Sequence, residues 1–183
     1  SAHKVGGPHG VGLLWIRAGT DFDPLLYGGG QEFFRRAGSE NVAAINGFAA
    51  AVEDINSDEQ KLMARHRDGL ENDLISIAPI EIFGLGASRL PNTLCFALPG
   101  LSQESQLVAL DSDGIAVSAG SACSSGKIAE SHVLTAMGVP QDLSSCAIRV
   151  SVGWNTTDID LQLFFNSWSK LYSSTQCAEG NAA

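Results

Sequence analysis

Short apolar segments alternate with helix-patterned segments along the chain, and this alternation constrains the fold more than any other feature. Strands are predicted around a glycine-rich turn within residues 1–17 and at residues 80–83, 94–97, 115–118 and 147–152. Helices are predicted at residues 40–55, 57–77, 102–110 and 131–137, with a last helix from residue 156 or 157. The sequence therefore predicts an α/β or α+β fold.

The last predicted helix carries an apolar stripe at the helical period, formed by Leu161, Phe164, Phe165, Trp168 and Leu171. Such a stripe is more often the buried face of a helix than a cofactor-binding face. We therefore interpret the stripe as part of the core.

Ser39 is a candidate N-cap for the first long predicted helix, at residues 40–55.

The composition argues against several classes of protein. The chain has 183 residues, of which 44% are apolar and 17% charged, as is typical of a globular protein with a core. No apolar run reaches the roughly 18 residues of a membrane span, and the net charge of −9 argues against a nucleic-acid partner. The four cysteines form no C-x-x-C pair, so they predict reduced thiols in a cytoplasmic protein, without a metal or a disulfide framework.

Cys123 carries the sharpest chemical signal. Apart from this cysteine, residues 118–126 are all Ser, Ala or Gly. A cysteine in such a loop can be exposed, and its thiolate is a nucleophile where a cation or an amide dipole stabilises it. A small buried cysteine at a tight turn fits the same residues. Both interpretations remain open from the local sequence.

Lys4 precedes a glycine-rich turn and has Ser1 and His3 beside it. Lysine forms imines when its surroundings lower its pKa, and the hydroxyl and imidazole can donate to a phosphate. The alternative is an ordinary surface lysine.

Three further positions have both a chemical and a structural interpretation. Arg149 interrupts an apolar strand, where it either binds a substrate carboxylate or forms a structural ion pair. Arg35, Arg36 and Ser39 precede a helix and either meet a phosphate or are solvated. His132 opens a helix, where it either transfers protons or has a capping or core role.

Taken in order, these segments resemble the class V aminotransferase group of fold-type I pyridoxal 5′-phosphate (PLP) enzymes, and within it the cysteine desulfurases that serve iron–sulfur cluster assembly. The resemblance rests on residues 1–12 (SAHKVGGPHGVG), 28–42, 89–93, 117–126, 131–134 and 148–153. It covers nearly the whole chain apart from the tail. The combination of the S-x-H-K segment with the cysteine loop is its most specific part.

The resemblance implies a cofactor site. Lys4 would hold PLP as a Schiff base, and Ser1 and His3 would bind its phosphate. Ser39, where the family usually has Thr, would contact the phosphate bound by the partner subunit, which implies a homodimer with shared active sites. His9 replaces a common Lys in the turn.

The resemblance also implies a reaction. Arg149 would bind the α-carboxylate of L-cysteine, and Cys123 would attack the substrate sulfur, giving a persulfide and L-alanine. The sulfur would pass to an acceptor or scaffold protein of iron–sulfur assembly. Two other activities fit the same residues: a selenocysteine lyase or another class V aminotransferase, and a non-enzymatic sulfur-relay fragment that keeps Cys123 as an acceptor thiol.

The domain boundaries follow from the same resemblance. Residues 1–40 would be the C-terminal remnant of a large PLP-binding domain, starting at its PLP-lysine strand. Residues 41–175 would be a linking helix and a small α+β domain with the cysteine loop, and residues 176–183 a tail. The chain starts without Met or a signal-peptide pattern, which predicts that it begins inside a longer protein and is inactive alone.

Overall fold

The structure is a computed structural model that describes residues 1–119 and 131–180. The chain divides into two compact units, Ser1–Asn56 and Ser57–Ala183. The predicted domain boundary at residue 40 stays a prediction, and the helix that follows it belongs to the first unit.

The first unit contains two short 3₁₀ helices, Ala2–Val5 and Gln31–Phe34, and the helix α1, Val42–Glu53. The side chain of Asn41 accepts a hydrogen bond from the amide of Ala44, so Asn41 is the N-cap of α1, and the predicted cap at Ser39 is wrong. Asn41 is placed one residue before the first helical turn, which an N-cap requires.

The glycine-rich turn lies close against α1. A Cβ atom built on Gly47 of α1 would lie 2.7 Å from the Cγ atom of Pro8, a separation that real Cβ atoms do not adopt. The absence of a side chain at position 47 therefore permits the turn and the helix to approach each other.

The two strands predicted within residues 1–17 are not found. Lys4 lies in a 3₁₀ helix, and residues 11–17 have no regular structure. A strand needs a neighbour that accepts its hydrogen bonds, and residues 1–56 contain no strand that could serve. As a result, Leu13, Leu14 and Trp15 are about 70% exposed or more.

The second unit is built on a four-stranded antiparallel sheet. Its strands are β1 (Glu81–Ile82), β2 (Thr93–Ala97), β3 (Ser118–Ala119) and β4 (Ala147–Ser151), in the spatial order β1-β2-β4-β3. The helices are α2 (Ser57–Ile77), α3 (Gln103–Ser112), α4 (His132–Ala136), α5 (Gln141–Ser144) and α6 (Asp158–Gly180). The mixed α/β class predicted from the sequence is confirmed.

One face of this sheet carries the main core. Leu94 and Phe96 of β2 and Ile148 and Val150 of β4 alternate along their strands and point to this face. Helices α2, α3 and α6 cover it, and the fully buried Trp168 of α6 meets Phe96 edge-to-face with ring centroids 5.5 Å apart. The predicted apolar stripe of the last helix is therefore core, as expected.

Gln106 of α3 forms a buried polar network inside this core. Its Nε2 group donates to the carbonyls of Leu101 (3.1 Å) and Cys146 (2.8 Å), and its Oε1 atom accepts from the indole N–H of Trp168 (2.9 Å). The side chain thus links α3 and α6 to the residue that precedes β4. All hydrogen-bonding groups of the amide other than one lone pair are satisfied.

The end of the chain differs from the prediction. Helix α6 continues to Gly180, past the predicted start of a tail at residue 176. At the start of α6 the amide and the hydroxyl of Thr157 donate hydrogen bonds to the carboxylate of Asp160, and these two bonds lower the pKa of Asp160. The amide of Asp160 donates in return to the hydroxyl oxygen of Thr157. None of the described helices is long and apolar enough to span a membrane.

Candidate functional site

Lys4 lies in the first 3₁₀ helix, which is folded against the glycine-rich turn. The amide of Ala2 donates to the carbonyl of Val11 (3.0 Å), and the amide of Gly7 donates to the carbonyl of Ala2 (2.9 Å). A Cβ atom on Gly7 would lie 2.9 Å from the Cβ atom of Ala2, so this approach requires glycine. Ala2 is fully buried as a result, whereas its neighbours Ser1, His3 and Lys4 are exposed.

His3 stacks on His9 of the turn. The two ring centroids are 4.8 Å apart, and the planes differ by 11°. Partial desolvation, followed by the nearby His9 and Lys4, lowers the pKa of His3 from its usual value of 6.5. The imidazole of His3 is therefore held in its neutral form near pH 7, in which one ring nitrogen donates and the other accepts.

The residues of this segment suit a phosphorylated aldehyde such as PLP. Ser1, His3 and Lys4 supply a hydroxyl, a neutral imidazole and a primary amine within four residues, and all three are exposed. The ammonium of Lys4 forms no ion pair with any described residue. Lys4 is thus not engaged by a described carboxylate, and the hydroxyl of Ser1 and the imidazole of His3 can donate to phosphate oxygens.

Ser39 is exposed at the end of the loop that follows the second 3₁₀ helix. The loop is shaped by the amide of Gly38, which donates to the Gln31 Oε1 atom (3.2 Å), and by Arg36, which donates to the Gly38 carbonyl (3.4 Å). Within the described residues, no hydrogen bond joins Ser39 to the Lys4 segment. The structure therefore leaves the hydroxyl of Ser39 unpaired with this segment.

Arg149 lies on β4, on the sheet face opposite the main core. Its Cα partners are Cys95 on β2 and Ser118 on β3, and directly opposed residues of antiparallel strands point to the same face. The residue is half-buried, and its guanidinium has no ion pair or hydrogen bond to any described residue. The structural ion pair considered from the sequence is therefore not found in this part of the chain.

Cys95 is the residue that the sequence interpretation missed. Burial raises the pKa of its thiol, and the opposing positive charge of Arg149 lowers it in part. The Cys95 thiol is thus close enough to the guanidinium to experience its field. No sequence pattern identifies Cys95, because its position opposite Arg149 depends on the register of β2 against β4.

Helices α4 and α5 cover part of the face that carries Arg149. Leu134 of α4 packs with Phe83, Ala97, Cys146 and Ala147, and Cys95, Val139 and Leu143 lie against this cluster. Arg149 follows Ala147 by two residues, about 6.6 Å along the strand. Ser151, two residues further, is exposed. Arg149 therefore lies at the border between the covered and the open part of the face.

The predicted nucleophile Cys123 lies outside the described residues, in the segment that follows β3 directly. His132, the first residue of α4, is exposed. The helix is capped by Ser131, whose Oγ atom accepts from the amide of Leu134 (3.3 Å), so the capping role considered for His132 belongs to its neighbour. Among the described residues, no cluster of His, Cys, Asp or Glu could hold a metal ion.

Known proteins resemble this chain over most of its length. The aminotransferase class-V family model matches residues 1–164. The cysteine desulfurase IscS of Dictyoglomus turgidum is 41% identical over 165 residues, which are 88% of this chain and 42% of that protein. Among solved structures, a NifS-like protein has a TM-score of 0.76 at 35% identity, covering 94% of this chain and 45% of its own.

A second solved structure includes a small molecule. The structure of SspA in complex with cysteine has a TM-score of 0.63 at 27% identity, over 83% of this chain and 42% of SspA. The chain thus spans less than half the length of the proteins that it matches.

Proposed function

Because the chain belongs to the aminotransferase class-V family, we propose that it is the C-terminal part of a PLP-dependent cysteine desulfurase. This enzyme would remove sulfur from L-cysteine, leaving L-alanine and a protein persulfide. The observation that carries the proposal is the half-buried guanidinium of Arg149, which forms no ion pair with any described residue. Arg149 lies on β4, next to β3, the strand that precedes Cys123 in the chain.

The residues proposed to bind the cofactor belong to the first unit. Lys4 supplies the amine that holds PLP, and Ser1 and neutral His3 donate to its phosphate. When bound, PLP supplies an electron sink for chemistry at the amino acid. The stacking of His9 on His3 limits the orientations of the His3 ring and so fixes the direction of its N–H group.

Arg149 is the residue proposed to bind the carboxylate of the substrate. A guanidinium can bind both oxygens of a carboxylate through parallel N–H donors, which fixes the orientation of the amino acid as well as its position. An unpaired guanidinium that is partly removed from water gains most from such a partner. A substrate carboxylate is therefore a suitable anion for Arg149.

Cys123 is the proposed sulfur acceptor. Its thiolate forms a bond with the substrate sulfur as the Cβ–S bond of the substrate breaks. The electron pair of that bond stays with Cβ, which takes up a proton and leaves as part of L-alanine, while the sulfur remains as a persulfide on Cys123.

The remaining partners are proposed from the family. Residues 1–40 belong to a larger cofactor-binding domain, and Ser39 donates to the phosphate in the partner subunit of a homodimer. The persulfide is passed to an acceptor or scaffold protein of iron–sulfur cluster assembly. The enzyme works in the cytoplasm, in keeping with the free thiols of Cys95, Cys146 and Cys177.

The test uses the complete protein of which this chain is the C-terminal part. With PLP and L-cysteine it is expected to release L-alanine over many turnovers, and a persulfide is expected on Cys123 by peptide mass spectrometry. Cys123→Ser is expected to abolish both while PLP still binds, because a hydroxyl is a far poorer nucleophile toward sulfur. The control is Cys177→Ser, which changes an exposed cysteine near the C-terminus of α6.

Two outcomes would contradict the proposal. One is alanine release by Cys123→Ser at a rate near that of the wild type. The other is multiple turnovers by residues 1–183 alone, because the fragment interpretation predicts that this chain lacks part of the cofactor site. Selenocysteine in place of cysteine distinguishes a selenocysteine lyase, which would be strongly faster with selenium.

A further inference from the structure

We propose that Cys95 is a positioning residue for the carboxylate site: as the uncharged side chain directly across from Arg149, it leaves the guanidinium free for the substrate. This inference rests on the proposed function, which makes Arg149 the group that binds the substrate carboxylate. It assigns a role to a residue that belongs to no motif identified in the sequence.

The strand register places the two side chains together. Cys95 and Arg149 are direct Cα partners on β2 and β4, so their Cβ atoms are about 4.5–5.5 Å apart on one face of the sheet. On the other side of Arg149 the direct partner is Ser118, which is also uncharged. The guanidinium therefore has a neutral neighbour on each adjacent strand.

An acidic residue at either position would change this arrangement. Opposite charges at directly opposed strand positions attract each other, and an internal carboxylate would have no translational entropy to lose on pairing. Such a carboxylate would occupy the guanidinium in competition with a substrate. No described acidic residue forms an ion pair with Arg149 at present.

The thiol also has to remain protonated, since a thiolate would compete in the same way. The burial of Cys95 among the side chains under α4 and α5 raises the pKa of its thiol, and this effect exceeds the opposing effect of Arg149. Cys95 is therefore neutral where an exposed cysteine beside an arginine would be prone to ionise.

The first experiment compares two variants of nearly equal size in the complete protein. Cys95→Asp is expected to raise the KM for L-cysteine by at least about 10-fold, the scale of a hydrogen bond to a charged group, while kcat and PLP content stay within about twofold. Cys95→Asn, which has the same shape without the charge, is expected to keep KM within about threefold of the wild type. Equal changes of KM in both variants, or no change in either, would overturn the inference.

Arg149→Ala separates this inference from the proposed function. If Arg149→Ala raises KM strongly but Cys95→Asp behaves like Cys95→Asn, the role of Cys95 is wrong and the carboxylate site stands. If Arg149→Ala leaves KM unchanged, the carboxylate site itself is wrong.

A second experiment needs no turnover and no Cys95 variant. Alkylation of Cys95 by iodoacetamide at pH 8, followed peptide by peptide, is expected to slow by about threefold or more in Arg149→Ala, because loss of the cation raises the pKa of the thiol. Saturating L-alanine, whose carboxylate would neutralise and cover Arg149, is expected to slow the wild type similarly. Alkylation of the exposed Cys177 serves as the internal control.

Two results of the alkylation experiment would overturn the inference. One is a Cys95 rate that is the same in the wild type and in Arg149→Ala. The other is a complete absence of Cys95 labelling in every variant, because a site that admits a substrate carboxylate beside this thiol should also admit a small alkylating reagent.

Discussion

Helix α3 carries two buried glutamines, and we expect replacing them to have opposite effects on stability. Gln106 is fully buried and makes three hydrogen bonds through its side-chain amide. Gln103, three residues earlier, is 6% exposed, and its Oε1 atom is buried without a hydrogen-bond partner among the described residues. The two positions thus separate the effect of losing a satisfied amide from that of losing an unsatisfied one.

The expected magnitude follows from the groups left behind. Gln106→Leu keeps the side-chain volume but leaves two carbonyls and the indole N–H of Trp168 without this partner. Each buried unsatisfied group costs about 1–3 kcal/mol, and because the three share one side chain we expect a loss of about 3–5 kcal/mol in the free energy of unfolding. Gln103→Leu removes a buried oxygen that has no partner, so we expect a change between zero and a gain of about 1 kcal/mol.

The assay is urea unfolding followed by tryptophan fluorescence. Trp168 is fully buried, whereas Trp15 and Trp154 are each 74% exposed, so Trp15→Phe and Trp154→Phe give a background in which the signal comes from the core of the second unit. A loss of about 4 kcal/mol lowers the urea midpoint by roughly 2 M at an m value near 2 kcal/mol/M. If Gln106→Leu unfolds at the same midpoint as Gln103→Leu, the buried network does not stabilise the fold and the reasoning is wrong.

Three further predictions concern two helix glycines, the stacked pair His3 and His9, and Arg149. Gly47→Ala is expected to cost about 1–3 kcal/mol by overpacking against the turn, whereas Gly69→Ala in α2, where a Cβ atom meets nothing within 4 Å, is expected to gain about 0.5–1 kcal/mol; thermal unfolding measures both. His9→Asn is expected to raise the pKa of His3 measured by NMR, because it removes a neighbouring ring that lowers this pKa. Because the pKa of His3 lies below 6.5 in the folded state, the stabilisation associated with neutral His3 is present above pH 6.5 and is lost as the pH falls through the folded pKa. An unchanged titration of His3 in this variant would exclude the coupling to His9. Arg149→Ala is expected to weaken L-cysteine binding by about 2–5 kcal/mol, with Arg149→Lys intermediate, and unchanged KM and kcat/KM would exclude the carboxylate role.

The fold of the second unit was largely predictable because its signals are local. The apolar segments at residues 94–97 and 147–152 correspond to the two central strands of the sheet, and the period-3.6 pattern of the last helix corresponds to its buried face. Strand β3 begins three residues later than the predicted strand at 115–118, because Ile115 and Val117 are apolar and pack on the core without pairing as a strand. The short helix α5 was missed because its four residues are too few to show a period.

The first unit was less predictable because its apolar residues have no partner within residues 1–56. Leu13, Leu14 and Trp15 have strand propensity, yet pairing is a property of two segments, and the second segment is not in this unit. The family itself was predicted correctly, because the resemblance rests on several motifs in a given order along the chain, above all the S-x-H-K segment and the cysteine loop.

The candidate site was predictable from the sequence only in part. The sequence singled out Arg149 as an arginine in an apolar strand, but it left the choice between an ion pair and a ligand open. The structure narrows that choice by leaving the guanidinium unpaired among the described residues. Cys95 could not have been found, because it is 54 positions from Arg149 in the chain and becomes its neighbour only through the register of β2 and β4.

The length of the outer strand β1 has a consequence for how copies of the second unit meet. The sheet ends in β1 on one side, and this strand has two residues. An edge this short offers too few free N–H and C=O groups to template the addition of a strand from a second molecule. At the β1 edge the sheet is therefore protected against growth by edge-to-edge pairing, and we expect contacts between copies of this unit at that edge to be made by side chains.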